Sequence, residues 1–307
     1  MAVSIDQLNA ITHKFIQKKL HDNIFDSNPY LQRFMRNGSY VSRSGGVTID
    51  LPLNYAVASA AGWYAGADTL STTDNESITA ASYSWKSTYA NVAITKEDEM
   101  KNGGDSGVLD LLKSKVMIAE KTLKDNMGTG LYSAGTDSKS IVGLRVHVNT
   151  SSTVGGISQS SNSFWQSQLD SSTTTMTMSA LNTVFVDATV DNEQPSVALT
   201  TRSLFNSYYG LLQPQQRFQD SNTANGGFTS LLFNGIPVIA DSHCPSSNFF
   251  FINEKNMLLF YHPQMNMTMA EFIKPTNQEV RLSRVLWMGA LCSSNNRLHG
   301  RLSALTA

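Results

Sequence analysis

The sequence predicts an α+β fold. Three observations carry it: apolar runs of period two at residues 47–55 and 83–94, one long amphipathic helix across residues 105–127, and a later lobe where helix and strand patterns alternate. At 307 residues the chain is long enough for one large or two modest domains, each with a substantial core.

Taken in order, residues 4–20 place Ile5, Leu8, Ile11, Phe15 and Leu20 at near-helical spacing, with Lys14, Lys18 and Lys19 largely off that stripe. They read as a short amphipathic arm. Asn28-Pro29 and Asn37-Gly38 read as turns. In residues 47–55, Val47, Ile49, Leu51, Leu53 and Tyr55 share one face of a strand, and Pro52 on the other face restricts it to a sheet edge. The run at 83–94 puts Tyr83 and Trp85 on one face and is expected to pair with the first strand. Residues 56–82 between them are dominated by Ala, Gly, Ser and Thr, a poor core sequence and too long for an ordinary hairpin turn. Two readings stay open there: a surface loop, or an extended two-stranded arm that packs on a neighbouring subunit. The second accounts for Trp63 and Tyr64 near the tip, which are costly to leave in water.

For the long helix, Asp105 or Ser106 supplies the cap and Gly128 the stop, while Val108, Leu112, Val116, Ala119, Leu123 and Met127 form the apolar stripe. At 1.5 Å per residue it is a rod of about 30 Å. A glycine- and serine-rich stretch follows, and then helix at 181–189, strand at 195–200, helix at 202–211, and buried strands at 236–240 and 249–252. The end, 279–305, alternates around a turn at 293–296 and reads as a terminal hairpin.

Composition narrows the function. Net charge is -1 with 23 basic and 24 acidic residues, so the surface as a whole does not predict a strong grip on nucleic acid. Charged residues are 15% of the chain, against roughly 25% in typical soluble domains, which suits a protein that covers itself with copies of itself. Two cysteines, Cys244 and Cys292, imply no disulfide framework, and the start is not signal-like, so the chain reads as kept in a reducing cytosol. No apolar run approaches the roughly 20 residues of a membrane helix.

Catalytic motifs are missing. There is no G-x-S-x-G, and His13, His21, His147, His243, His262 and His299 are scattered. His243-Cys244 has no second ligand pair at zinc spacing and reads as loop packing. Gly128, Gly130 and Gly135 follow a helix and lack the G-K-[ST] of a phosphate loop. Glu97, Asp98 and Glu99 read as a solvated charge run. No enzyme activity, cofactor or metal is expected.

Several strings resemble one family. They are Ile141-Val142-Gly143-Leu144, then Val154-Gly155-Gly156-Ile157-Ser158-Gln159-Ser160 with Trp165, then Phe233-Asn234-Gly235-Ile236-Pro237-Val238-Ile239-Ala240-Asp241, and finally Gly289-Ala290-Leu291-Cys292 with Asn296-Arg297-Leu298-His299-Gly300-Arg301. With the order of parts, these resemble the major capsid proteins of tailed double-stranded DNA bacteriophages, which have the Johnson, or Hong Kong 97-like, fold. The resemblance implies an N-terminal arm (1–45), an extended β-hairpin loop (46–95), a peripheral domain (96–139 and 261–307) with a spine helix (105–127), and an axial domain (140–260). The glutamine-rich residues 213–219, with 221–227, resemble the loop near the capsomer axis.

By the same resemblance the chain self-assembles into pentamers and hexamers of an icosahedral shell in the virion, built in the host bacterial cytoplasm. A portal and a scaffolding protein are the implied partners, and the Met1-Ala2 start favours a separate scaffold. Trp63, Tyr64, Trp85 and Lys86 are the expected inter-subunit contacts, Lys86 being also placed where some members cross-link. Arg297, His299 and Arg301 would share a strand face, where Arg297 and Arg301 either meet packaged double-stranded DNA phosphates without reading sequence or make structural salt bridges. An encapsulin-like compartment shell is the alternative.

Overall fold

The computed structural model describes residues 28–57, 59–73, 76–101, 111–212 and 231–306. The predicted helix at 4–20, the caps Asp105 and Ser106 with Val108, and the stretches 213–219 and 221–227 lie outside the described residues.

Helix α1 (Pro29–Arg36) exists because Asn28 caps it: its side chain accepts the Leu31 amide at 3.0 Å, and Pro29 occupies the first turn. The two dipeptides read as turns are thus the two ends of a helix. Tyr30, Leu31 and Phe34 are buried in the largest core cluster, so residues from 28 onward, expected in an arm, pack into the body of the fold. Strand β1 (Tyr40–Ser42) follows, then β2 (Thr48–Asn54), β3 (Ile78–Ser84), β4 (Lys86–Thr95) and helix α2 (Lys96–Lys101). The run expected at 83–94 is therefore two strands: β3 pairs with β2, whereas β4 leaves the hairpin for another sheet.

The spine helix α3 runs Leu111–Leu131 and passes straight through Gly128. Glycine is there for clearance, since a Cβ would collide with the side chains of Asn28 and His243. Ala119, Leu123, Met127 and Leu131 are its buried stripe, one turn longer than the sequence reading.

Next come α4 (Leu144–His147), β5 (Thr153–Val154), β6 (Ile157–Ser158), β7 (Gln168–Asp170), α5 (Met178–Asp187), β8 (Val197–Thr200) and α6 (Arg202–Leu212). The remaining strands are β9 (Leu231–Phe233), β10 (Ile236–Ala240), β11 (Phe249–Ile252), β12 (Met257–Met269), β13 (Val280–Ser293) and β14 (Gly300–Leu302). Asn234 and Gly235, both at positive φ, make the two-residue turn that joins β9 to β10.

Two main sheets result. One has the order β1-β12-β13-β4 and is backed by α1 and α3; the other has the order β7-β14-β11-β8-β10-β9. Strand β11 explains their join. Phe249 and Phe251 face the core beneath α5 and α6, while Phe250 and Ile252 face the core around α3, so all four are buried. The expected terminal hairpin does not form. After β13 the 3-10 turn Asn296–Leu298 redirects the chain, and β14 inserts between β7 and β11 of the six-stranded sheet. The last residues consequently do not return to the four-stranded sheet.

Candidate assembly surface

The β2–β3 hairpin is a ladder from Thr48↔Ser84 to Asn54↔Ile78. Two strands alone have only edges, so Pro52 costs no interior hydrogen bond. Its inner face, Ile49, Leu53, Ala81 and Tyr83, is buried against Val154, Trp165, Phe260 and Ala290. Its outer face is polar: Asp50 accepts from Ser82 Oγ at 2.6 Å and from Thr48 Oγ1 at 3.0 Å, bonds that hold its carboxyl below the usual range.

The root is held firmly. Tyr83 donates from its hydroxyl to the Ser293 carbonyl at 2.9 Å and accepts the Ser293 amide at 3.2 Å, while its ring stacks on His147. Burial lowers His147 to about 4 and His299 to about 3; His299 accepts the Asn253 amide at 3.2 Å. Both rings are neutral spacers where the hairpin root meets the two sheets.

Past Tyr55, which stacks on Phe164, the chain leaves the ladder. Val57, Trp63, Tyr64 and Leu70 are exposed, Trp63 at 105% and Tyr64 at 68% of their reference surfaces. Their neighbours are alanine, glycine, serine and threonine, too small to cover an indole. The two-stranded ladder ends at Asn54↔Ile78, and none of the described residues from Tyr55 to Ser77 is in a strand, so the stretch beyond the hairpin is an exposed surface loop.

Trp85 and Lys86, expected to act with that tip, sit elsewhere. The Trp85 indole donates to the Gly46 carbonyl at 3.0 Å and meets His262 edge-on, and Lys86 Nζ donates to the Ser138 carbonyl at 2.5 Å. They fasten the pivot where β3 gives way to β4. Beside them a groove of about 1210 Å³ runs between β4, α3 and the segment after α3, with Tyr89 and Ile118 exposed in it.

No family model matches the chain, and no curated protein matches it. Among solved structures the likeness spans the whole chain. The cyanophage A-1(L) capsid asymmetric unit matches at TM-score 0.73 and 14% identity, covering 97% of this chain and 98% of that one. The fold is Hong Kong 97-like. The capsid of a native GTA particle matches at TM-score 0.69 and 10% identity over 100% and 99% of the two chains. An encapsulin from Synechococcus elongatus PCC 7942 shares this fold at TM-score 0.62 and 10% identity over 99% and 96%.

Within this Hong Kong 97-like fold the arginine stripe is not formed. Arg297 is exposed on the 3-10 turn, whereas Arg301, 9% exposed on β14, donates to the Arg145 carbonyl at 3.0 Å and lies over the Phe250 ring. Burial brings its guanidinium down to about 10. The turn at 296–298 breaks the alternation that would have aligned them.

The His243-Cys244 pair packs as expected: His243 bonds Asp125 at 2.7 Å and Asp241 at 3.3 Å, joining α3 to the end of β10, and Tyr132 donates to Asp241 at 3.0 Å. Burial pushes the Cys244 thiol up, away from nucleophilic use. Among the described residues no group of three or more His, Cys, Asp or Glu side chains could hold a metal, and no helix is long and apolar enough to cross a membrane.

Proposed function

We propose that this chain is the major capsid subunit of a tailed phage, assembling into pentamers and hexamers of the icosahedral shell that encloses double-stranded DNA. The bare tip of the β2–β3 arm carries the reading. A tryptophan at 105% exposure on the loop beyond the hairpin's buried face is stabilised when another copy covers it. The near-full-length likeness to capsid structures supports the same conclusion.

The work is assembly rather than turnover. The arm is the extended loop; the four-stranded sheet with α3 is the peripheral domain, and the six-stranded lobe the axial domain. Many modest contacts, repeated head-to-tail by rotational symmetry, close into rings and offset the entropy lost on ordering each arm. Trp63 and Tyr64 contact the neighbour directly, while Trp85 and Lys86 set the angle at which the arm leaves the body. Contact with packaged DNA is non-specific and local, with Arg297 the more available of the two arginines. A scaffolding protein and a portal are the further partners, and the virion, assembled in the host cytoplasm, is the location.

The test is negative-stain microscopy and sedimentation of the chain, repeated with residues 56–76 replaced by a short Asn-Gly turn. Rings and closed shells from the native chain, and folded monomers from the variant, are expected. A native chain that stays monomeric at every concentration overturns the reading. The match to an encapsulin over 99% of the chain favours a second reading, a compartment shell, which predicts particles holding a cargo protein and no DNA.

A further inference from the structure

A guanidinium taken out of water ordinarily has a carboxylate beside it, because a buried charge without a counter-ion is costly. Arg301 has none. Only 9% exposed, it donates from Nη1 to the Arg145 carbonyl at 3.0 Å and lies 5.8 Å from the Phe250 ring centre, while its Nε is buried with no hydrogen-bond partner. The ring face attracts the cation without neutralising it. Asp170, next after Leu169, the β7 partner of Arg301, turns to its own loop and accepts the Ser172 and Thr173 amides at 2.9 and 3.1 Å.

Arg145 adds a second cation. Its side chain is exposed and lines the groove between β4 and α3 together with Lys86, Lys115 and Lys139. Asp137 is the one carboxylate in that lining, and it accepts the Lys139 amide at 2.9 Å. Among the described residues neither Arg145 nor Arg301 is in a salt bridge. Burial, with the Arg145 charge acting in the same direction, brings Arg301 down to about 10. The fold nevertheless fixes both positions. A Cβ on Gly143, just before α4, would overlap the Ser133 main chain, and one on Gly300 would press on Val184, so the backbone beside each arginine is closely packed. Two like charges held this way are preorganised for an anion.

We propose that Arg145 and Arg301 form a binding site for a phosphate-class oxyanion beside the groove, the tetrahedral group accepting hydrogen bonds from both guanidinium forks. A phosphate dianion matches two guanidiniums in charge, and its oxygens serve two forks at once, where a planar carboxylate is matched to one. The phosphate comes either as the free ion or as a phosphodiester of DNA, and only the second source rests on the capsid reading.

Thermal unfolding of the full chain, at a dilution where it sediments as a monomer, tests the site in sodium phosphate against sodium chloride of equal ionic strength. Phosphate also stabilises proteins generally by exclusion from their surfaces, so the signal is a difference between variants. Arg145→Gln changes an exposed side chain and keeps the carbonyl that holds Arg301; Arg202→Gln changes an exposed arginine on α6 and serves as the control. The native chain and Arg202→Gln are expected to show a saturating rise of the midpoint in millimolar phosphate, and Arg145→Gln a half-saturation at least about tenfold higher. Arg301→Lys, which keeps the charge and loses the fork, should show the same loss, with circular dichroism to verify folding. An equal phosphate response in the native chain and Arg145→Gln overturns the site and leaves the capsid reading standing. Where the site holds, a short DNA duplex separates the two sources. Occupation by phosphodiesters predicts that Arg145→Gln lowers the slope of log affinity against log salt by about one, and occupation by the free ion predicts unchanged DNA binding.

Discussion

Strand β11 and the tip of the β2–β3 arm are opposite solutions to the same problem of where apolar side chains go. Phe249, Phe250, Phe251 and Ile252 are all buried because a core lies on each side of their sheet. Trp63 and Tyr64 are bare because none of the described residues covers them. The first region holds the fold together; the second, on the capsid reading proposed above, is covered by another copy. Stability and assembly should therefore respond to different substitutions.

The largest effect on the subunit is expected from Phe251→Ala, which empties a site walled by Phe185, Phe233 and Phe249 and should cost about 3–5 kcal/mol in denaturant unfolding. Trp63→Ala should move the same midpoint by less than about 0.5 kcal/mol while abolishing shells. Equal losses of stability in both would dissolve the comparison.

Acid sharpens it at the arm's root. His147 and His299 titrate at about 4 and 3 when folded, below the ordinary 6.5. Between those values the unfolded chain binds more protons, so the stability due to the neutral rings is complete above pH 6.5 and lost as pH falls toward 4 and then 3. The slope should reach about 1.4 kcal/mol per pH unit for each ring. Unfolding midpoints followed from pH 7 to pH 4 check this, and His147→Gln with His299→Gln should flatten the curve.

Smaller again is Gly128→Ala. A new methyl between α3, Asn28 and His243 should cost about 1–3 kcal/mol, where an open helix surface would have made alanine stabilising by up to about 1 kcal/mol. Thermal unfolding separates the two.

Most elements with a clear period were legible in the sequence: β2, β10, β11, α5, α6 and the buried stripe of α3 all fall within a few residues of expectation. So was the bare tip, since bulky aromatics among small polar residues have no local partner. Helix α1 was missed although Asn28-Pro29 followed by Tyr30, Leu31 and Phe34 is a cap-and-stripe signal that could have found it. The site residues divided. Trp63 and Tyr64 are exposed, as an inter-subunit contact would require, while the placements of Trp85, Lys86 and Arg301 depended on which strand each belonged to.

Periodicity, composition and turn residues by themselves determined the α+β class, the long helix and the lack of a catalytic motif, because these follow from interactions among residues close in sequence. Only the tertiary structure decided that β4 leaves β3 for β13, that β14 joins the six-stranded sheet, that Gly128 lies inside a helix, and that cations gather in one groove. Each depends on what a segment meets across the fold, and a strand's alternation records which face is apolar without recording which partner covers it.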